Sequence, residues 1–236
     1  MTLASSFSET GLYGSGLLVD ATGESLRPGG LELSKRLIST ANFSSGELVV
    51  DIGCGRGTSL AQLLSRDCAV LGVDMAADAL TATRQAICGV RVVCARGTEL
   101  PLRTASVGGI LAECSLSLMS SRRAALAEWA RVLRPGAVLA IGDVFARHPQ
   151  GSDEAVAGIA GQKTLIRELS SVGLSVLCFE DCSDVLKSWI ARFIFRHGTL
   201  DSLWNGACGL SAEKARRAAI GYFLTIARKS AGGCDV

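Results

Sequence analysis

With 236 residues, 24 basic against 22 acidic side chains and a net charge of +2, the chain has no electrostatic footprint for a polyanion, and 5% aromatics leave few platforms for stacked bases, so nucleic acid is excluded as the expected partner. Apolar residues reach 48%, yet charges interrupt every apolar run before the ~18–20 residues that a spanning helix needs, so no membrane span is expected. Nine cysteines, an odd number with no C-x-x-C pair, point to cytosolic thiols, and neither His148 nor His197 lies at ligand spacing from two of them, so no metal site is expected.

The opening Met1-Thr2-Leu3-Ala4-Ser5-Ser6 lacks the basic start and apolar stretch of a signal peptide, which favours a cytoplasmic location. Residues 1–30 are polar and dotted with glycine, ending in Arg27-Pro28-Gly29-Gly30. Tyr13, Leu17, Leu18 and Val19 suit a segment folded back as a lid or a plain surface extension. Leu33, Leu37 and Ile38 then recur at helical spacing between Leu31 and Ala41.

Leu48 to Ile52 reads as a short apolar strand that runs into Gly53-Cys54-Gly55-Arg56-Gly57-Thr58, with a helix-forming run from Leu60 to Leu64 behind it. That order makes a ligand site. Glycine lets a bound molecule approach bare main chain, the N–H groups at the helix N-terminus offer donors, and Asp51 at the strand end adds an acceptor. A dinucleotide fingerprint needs a third glycine where Thr58 stands, which weakens a pyrophosphate reading.

Cys68 to Asp74 is a second buried-type strand ending in an acid. Neighbouring parallel strands open their carboxyl ends onto one crevice, so Asp51 and Asp74 face one ligand. Asp74 suits a ribose diol, or equally the N-terminus of a helix over Ala76 to Ala86. Val90 to Ala95 is a third strand, followed by Arg96-Gly97-Thr98-Glu99-Leu100-Pro101-Leu102. The fourth, Gly109 to Ala112, ends at Glu113-Cys114-Ser115. Glu113 is placed to bind an ammonium, orient an acceptor or take its proton, or to act only as a helix-start acid; Cys114 is an acceptor-side candidate or a small core residue.

Ser121 caps a helix whose Leu126, Trp129, Ala130 and Leu133 form a core-facing stripe, and Arg131 to Gly136 turns into a fifth strand, Ala137 to Ile141. A helix over Gln162 to Ser171 and a strand over Leu174 to Phe179 follow. Ser183 to Ala219 reads as an amphipathic helical insertion with Leu186, Trp189, Ile190 and Phe193 on one face, interrupted at Trp204 to Gly209; it suits acceptor binding, a homodimer surface or core packing. Tyr222 to Ala227 fits a last strand.

Val49-Val50-Asp51-Ile52-Gly53-Cys54-Gly55-Arg56-Gly57 resembles the first motif of the class I S-adenosylmethionine (SAM)-dependent methyltransferases, and Arg131-Val132-Leu133-Arg134-Pro135-Gly136 before an apolar strand is a second match in the right order. The likeness is to the small-molecule, quinone-biosynthesis-like group of methyltransferase type 11. It implies an α/β fold: a Rossmann-like, seven-stranded, mostly parallel sheet with helices on both faces, the last strand antiparallel and a helical insertion before it. The implied divisions are 1–30 as lid or extension, 31–182 as SAM-binding core, 183–219 as insertion, 220–229 as last strand and 230–236 as tail.

The resemblance further implies SAM as cofactor and S-adenosylhomocysteine (SAH) as product. Asp51, Gly53, Cys54, Gly55 and Gly57 would meet the methionine and ribose portions, Asp74 the ribose, Met75 the adenine face, and Gly97, Thr98 and Glu99 the adenine edge. Glu113 falls at the catalytic edge, with Tyr13, Cys114 and Trp204 as acceptor-side candidates. Two departures stand out: Gly97-Thr98 replaces the acid pair relatives commonly carry, and no Asn-Pro-Pro-Tyr holds a planar nitrogen. The expected function is methyl transfer to a small-molecule acceptor. The alternatives are a soft acceptor such as arsenite, using Cys68, Cys178 and Cys208 but lacking the arsenite enzymes' cysteine near Thr58-Ser59-Leu60, and a non-catalytic SAM/SAH-binding module.

Overall fold

The computed structural model describes residues 27–148, 159–198 and 212–231. Tyr13, Trp204 and Cys208 lie outside them. In chain order the elements are α1 (Gly30–Ala41), β1 (Leu48–Ile52), α2 (Thr58–Leu64), β2 (Ala69–Asp74), α3 (Ala77–Ala86), β3 (Val92–Cys94) and β4 (Val107–Glu113). A 3-10 turn (Leu116–Leu118), α4 (Arg122–Val132), β5 (Leu133–Ala146), α5 (Gln162–Ser171), β6 (Leu174–Asp181), α6 (Ser183–His197), α7 (Ala212–Arg217) and β7 (Ile220–Lys229) follow. No helix among the described residues is long and apolar enough to cross a membrane.

The seven strands form one sheet in the order β3-β2-β1-β4-β5-β7-β6. Pairing is parallel from β3 to β5, and β7 runs antiparallel between β5 and β6. Strands buried on both faces must be apolar at successive positions, and they are. Val50, Ile52, Ile110, Ala112 and Phe223 enter one core layer with Trp129 of α4 and Leu165 and Leu169 of α5. Val49, Leu111, Tyr222 and Leu224 enter the other with Leu37 and Ile38 of α1, Leu60 and Leu63 of α2, Leu80 of α3 and Leu186 of α6. The sheet thus carries helices on both faces, as the resemblance implies.

Several strand boundaries differ from the sequence expectation by a residue or two, and the two ends of the fifth strand differ most. The fifth strand begins at Leu133, paired with Val107, and continues to Ala146, paired with Ile220. Apolar patterning alone hid both ends. Arg134-Pro135-Gly136 lies in a register shift, with Gly136 at φ 79°, and polar Asp143 stands within the added length. The apolar face of α6 lies on the second core layer: Leu186 and Phe193 are buried, and the rings of Trp189 and Phe193 stack at 5.5 Å.

Helices α4 and α5 are pinned to each other by a buried ion pair. Glu168 accepts from Arg122 Nε at 2.6 Å, Arg122 Nη2 at 2.9 Å and Arg123 Nε at 3.0 Å. Burial works to raise the Glu168 carboxyl, but the two arginines outweigh it and hold it below its ordinary range. Removing one partner strands buried charge. Glu168→Ala is therefore expected to cost about 3 kcal/mol in denaturant unfolding at neutral pH. A depressed carboxyl contributes stability above its unfolded pKa, so the gap to the unaltered protein should narrow as the medium falls below the ordinary glutamate range.

Candidate functional site

In a sheet of this order the chain leaves β1 to one side and returns through β4 on the other, so a crevice opens at the carboxyl ends of those two strands. The glycine turn forms its floor. Gly53, Gly55 and Gly57 all have positive φ, 76°, 50° and 82°, a conformation that side chains disfavour. A Cβ on Gly53 would lie 2.7 Å from Ser115 Cβ and one on Gly57 2.7 Å from Thr83 Cγ2, whereas Gly55 meets nothing within 4 Å. Bare main chain at Gly55 consequently faces open space.

The turn is braced from beneath. Gly53 N and Cys54 N donate to Val73 O at 2.8 and 3.1 Å, and Thr83 Oγ1 donates to Gly55 O at 2.7 Å. Asp74 accepts from Gly55 N at 2.8 Å and from Ala76 N at 2.9 Å. Asp74 is not the cap of α3, whose first turn is preceded by Ala76 without a side-chain cap bond; it braces the turn and holds the Ala76 N–H from the end of β2. Burial, with the charges of Asp51 and Asp74, pushes the Cys54 thiol far up and keeps it neutral.

Beside Asp74, Met75 is 60% exposed. Ala95 N donates to Asp74 O at 3.0 Å, which brings the 96–99 turn alongside. Trp129 Nε1 holds the Gly97 carbonyl at 2.8 Å, and a Cβ at Gly97 would overlap the Met119 methyl. Thr98 is half-buried, and Glu99 is exposed with its N–H bonded to Arg96 O.

At the β4 side, Glu113 is fully engaged. Oε1 accepts from Ser34 Oγ at 2.6 Å, and Oε2 accepts from Ser59 Oγ at 2.5 Å and Arg27 Nη1 at 3.4 Å. Arg27 Nη1 also donates to Ser59 Oγ at 2.9 Å. Asp51 is buried nearby, its carboxyl pushed up to about 8 by burial and by the charges of Glu113 and Asp74, against the pull of Arg27. Cys114 sits at φ 51° with its sulfur 3.2 Å from Tyr222 Oη, whose hydroxyl burial pushes well above its ordinary range, helped by Cys114 and Glu113.

Asp51, Gly53, Cys54, Gly55, Gly57, Asp74, Glu113 and Cys114 are thus gathered at the carboxyl ends of β1, β2 and β4, with Cys54 turned into the core beneath the turn, while Met75 follows β2 and Gly97, Thr98 and Glu99 follow β3. Arg27, Ser34 and Ser59 join them without having been singled out in the sequence. One signal was legible: Ser34 falls at i with Leu37, Ile38 and Ala41 at i+3, i+4 and i+7, a polar residue on an apolar stripe. Arg27 carries no such signal. Buried Asp143 was also missed; it accepts from Ser117 N and Oγ at 2.9 and 2.7 Å and ties the 3-10 turn to β5. Cys68 and Cys178 stand on β2's entry and on edge strand β6, five strand spacings or roughly 24 Å apart, too far to share one ion. Among the described residues no group of three side chains suits a metal.

A family model described as a methyltransferase domain matches residues 50–141. The chain is 37% identical over 113 residues to O-methyltransferase cnsE of Penicillium expansum, covering 45% of this chain and 41% of that protein. It is 32% identical over 180 residues to O-methyltransferase resE of Aspergillus sclerotiorum, covering 69% and 66%. The chain spans about half the length of the curated relatives it matches. Among solved structures, a protein described as the [4+2]-cyclase SpnF aligns with TM-score 0.71 at 23% identity, over 89% of this chain and 84% of its own. A geranyl diphosphate methyltransferase in complex with SAM aligns with TM-score 0.71 at 18% identity, over 84% and 85%. These two share the fold.

An acid whose carboxyl is raised in the folded state loses stability to the unfolded chain as pH climbs from its ordinary value to the raised one, here from about 4 to about 8. Asp51→Asn removes that cost. The variant should unfold at higher temperature than the unaltered protein at pH 8, by a free energy of roughly 1–3 kcal/mol, with the gain shrinking toward pH 5; calorimetric melting across that range checks it.

Proposed function

Because this chain belongs to the class I SAM-dependent methyltransferases, we propose that it binds SAM in the crevice between β1 and β4 and transfers the methyl group to a small-molecule acceptor, leaving SAH. The observation that carries this reading is the glycine turn: three left-handed residues, braced from below by Val73, Thr83 and Asp74, that present bare main chain at Gly55 between two acids. A ligand with a diol on one side and an amino group on the other fits that frame.

Each candidate residue then has a task. Main chain from Gly53 through Gly57, with Cys54 as a neutral spacer, approaches the middle of the ligand. Each Asp74 oxygen takes one main-chain N–H and keeps a lone pair for a ribose hydroxyl. The exposed Met75 thioether offers an apolar face to adenine, and Gly97, Thr98 and Glu99 border its edge, chiefly through main chain at Thr98 because Gly97's carbonyl already takes the Trp129 N–H. Asp51 accepts from the ammonium end. Glu113, its oxygens taken by two serines and an arginine, positions other groups rather than taking a proton.

SAM supplies an electrophilic methyl on a positive sulfonium, so the protein's contribution is alignment of an acceptor for in-line displacement and exclusion of water. Cys114, at the end of β4, borders the acceptor side. The fold does not name the acceptor, and the cyclase among its neighbours shows how widely it is used.

Titration calorimetry should give saturable binding of SAM and of SAH and none of NAD. Asp74→Ala should weaken SAH by ~10- to 100-fold, the worth of one or two hydrogen bonds to a charged group. Binding of NAD in place of the SAM pair, or unchanged affinity in Asp74→Ala, would count against the site. Binding of SAM without turnover on hydroxyl, amine and thiol acceptors would leave a binding module in place of an enzyme.

A further inference from the structure

We infer that Arg27 and Asp51 together read the zwitterionic amino-acid end of the ligand, with Arg27 as its carboxylate-binding residue. The inference rests on the SAM reading of the crevice and adds to it a residue from outside the glycine-turn motif. Among the described residues, three buried side-chain polar atoms have no hydrogen-bond partner: Arg27 Nη2, Asp51 Oδ2 and Ser115 Oγ. All three belong to one place. Arg27 and Asp51 each feel the other's charge, both feel Glu113, and Ser115 packs against Gly53 of the turn.

Their chemistry is complementary to one group. Arg27 Nη2 is a cationic donor, Asp51 Oδ2 an acidic acceptor and Ser115 Oγ a hydroxyl that can donate or accept. An α-amino carboxylate satisfies all three at once: its oxygens take the guanidinium and hydroxyl protons, and its ammonium donates to Asp51. A ligand lacking either charge leaves a buried group unpaired, which is what makes such a site discriminate.

The arginine is not consumed by its ion pair with Glu113. Ser34 and Ser59 already donate to that carboxylate at 2.6 and 2.5 Å, one to each oxygen, and Arg27 reaches it only at 3.4 Å, through Nη1. Nη2 remains over. The backbone that carries Arg27 is fixed where it enters α1: Gly30 N bonds Arg27 O at 3.1 Å, and Gly29 at φ 75° packs so closely that a Cβ would lie 2.5 Å from Leu33 Cβ. A guanidinium held this way, with Nη1 anchored on Ser59, offers its second nitrogen in a set direction.

The test uses two ligands that share the adenosyl thioether and differ at the amino-acid end: SAH, and 5′-methylthioadenosine, which lacks the amino and carboxyl groups. Both are titrated by calorimetry into the unaltered 236-residue chain, into Arg27→Met and into Arg27→Lys, after thermal melts establish that each variant is folded. The expected result is a ~10- to 100-fold loss of SAH affinity in Arg27→Met, 5′-methylthioadenosine affinity held within about twofold, and partial recovery of SAH in Arg27→Lys. Equal weakening of both ligands would assign Arg27 a structural role through Ser59 and Glu113 and overturn the inference, as would unchanged SAH affinity. If Arg27→Met does not fold, Arg27→Lys alone decides: it must weaken SAH more than 5′-methylthioadenosine. Unaltered protein that binds neither ligand would remove the SAM reading itself, and this inference with it.

Discussion

Two serines and an arginine, from α1, α2 and the segment before α1, converge on the carboxylate at the end of β4. A buried carboxylate without such donors would be costly, and with them it becomes a joint at which three segments are held to a fourth. Strand β4 is central and paired on both sides, so the joint transmits the rigidity of the sheet to the mouth of the crevice. Helix α1 could otherwise rest on its apolar stripe alone, which fixes a face but not a register along the axis. Ser34 bonded to Glu113 supplies that register, and Arg27, three residues before the helix starts, is carried into the site as a result.

The electrostatics around that joint are uneven. Glu113 is supplied with donors, while Asp51, one strand away, is buried with an oxygen unpaired and a carboxyl pushed up to about 8. Stability and recognition pull in opposite directions here: the arrangement that costs the free protein is the one that leaves an acid ready for a cation. Neighbouring thiols are held out of this balance. Burial keeps Cys54 neutral, so its sulfur serves as packing rather than as a nucleophile, while the Cys114 sulfur lies 3.2 Å from the Tyr222 hydroxyl oxygen.

The methyl-transfer reading places little demand on proton chemistry, and the structure is consistent in offering little. Its investments are in shape: three left-handed glycines, a braced loop, and acids at two strand ends. Shape of this kind fixes where a ligand lies and says less about what it reacts with. Beyond its end, β4 runs into the 3-10 turn, which Asp143 ties to β5.

Local order along the chain was enough to determine the strand, turn and helix around Asp51 and the glycines, because tight turns and parallel strands constrain neighbouring residues through sterics that are visible residue by residue. The same holds for Asp74, whose place at the next strand's end follows from strand length alone. Strand β5 was harder, since pairing across a register shift at Arg134 to Gly136 depends on Val107, far away in the chain. Tertiary structure alone decided the partners of Glu113 and the part played by Arg27. Ser34, Ser59, Arg27 and Glu113 are separated by up to 86 positions, and no periodicity relates them. Hydrogen bonds between side chains on different elements depend on how the elements dock, and docking is set by the whole core at once.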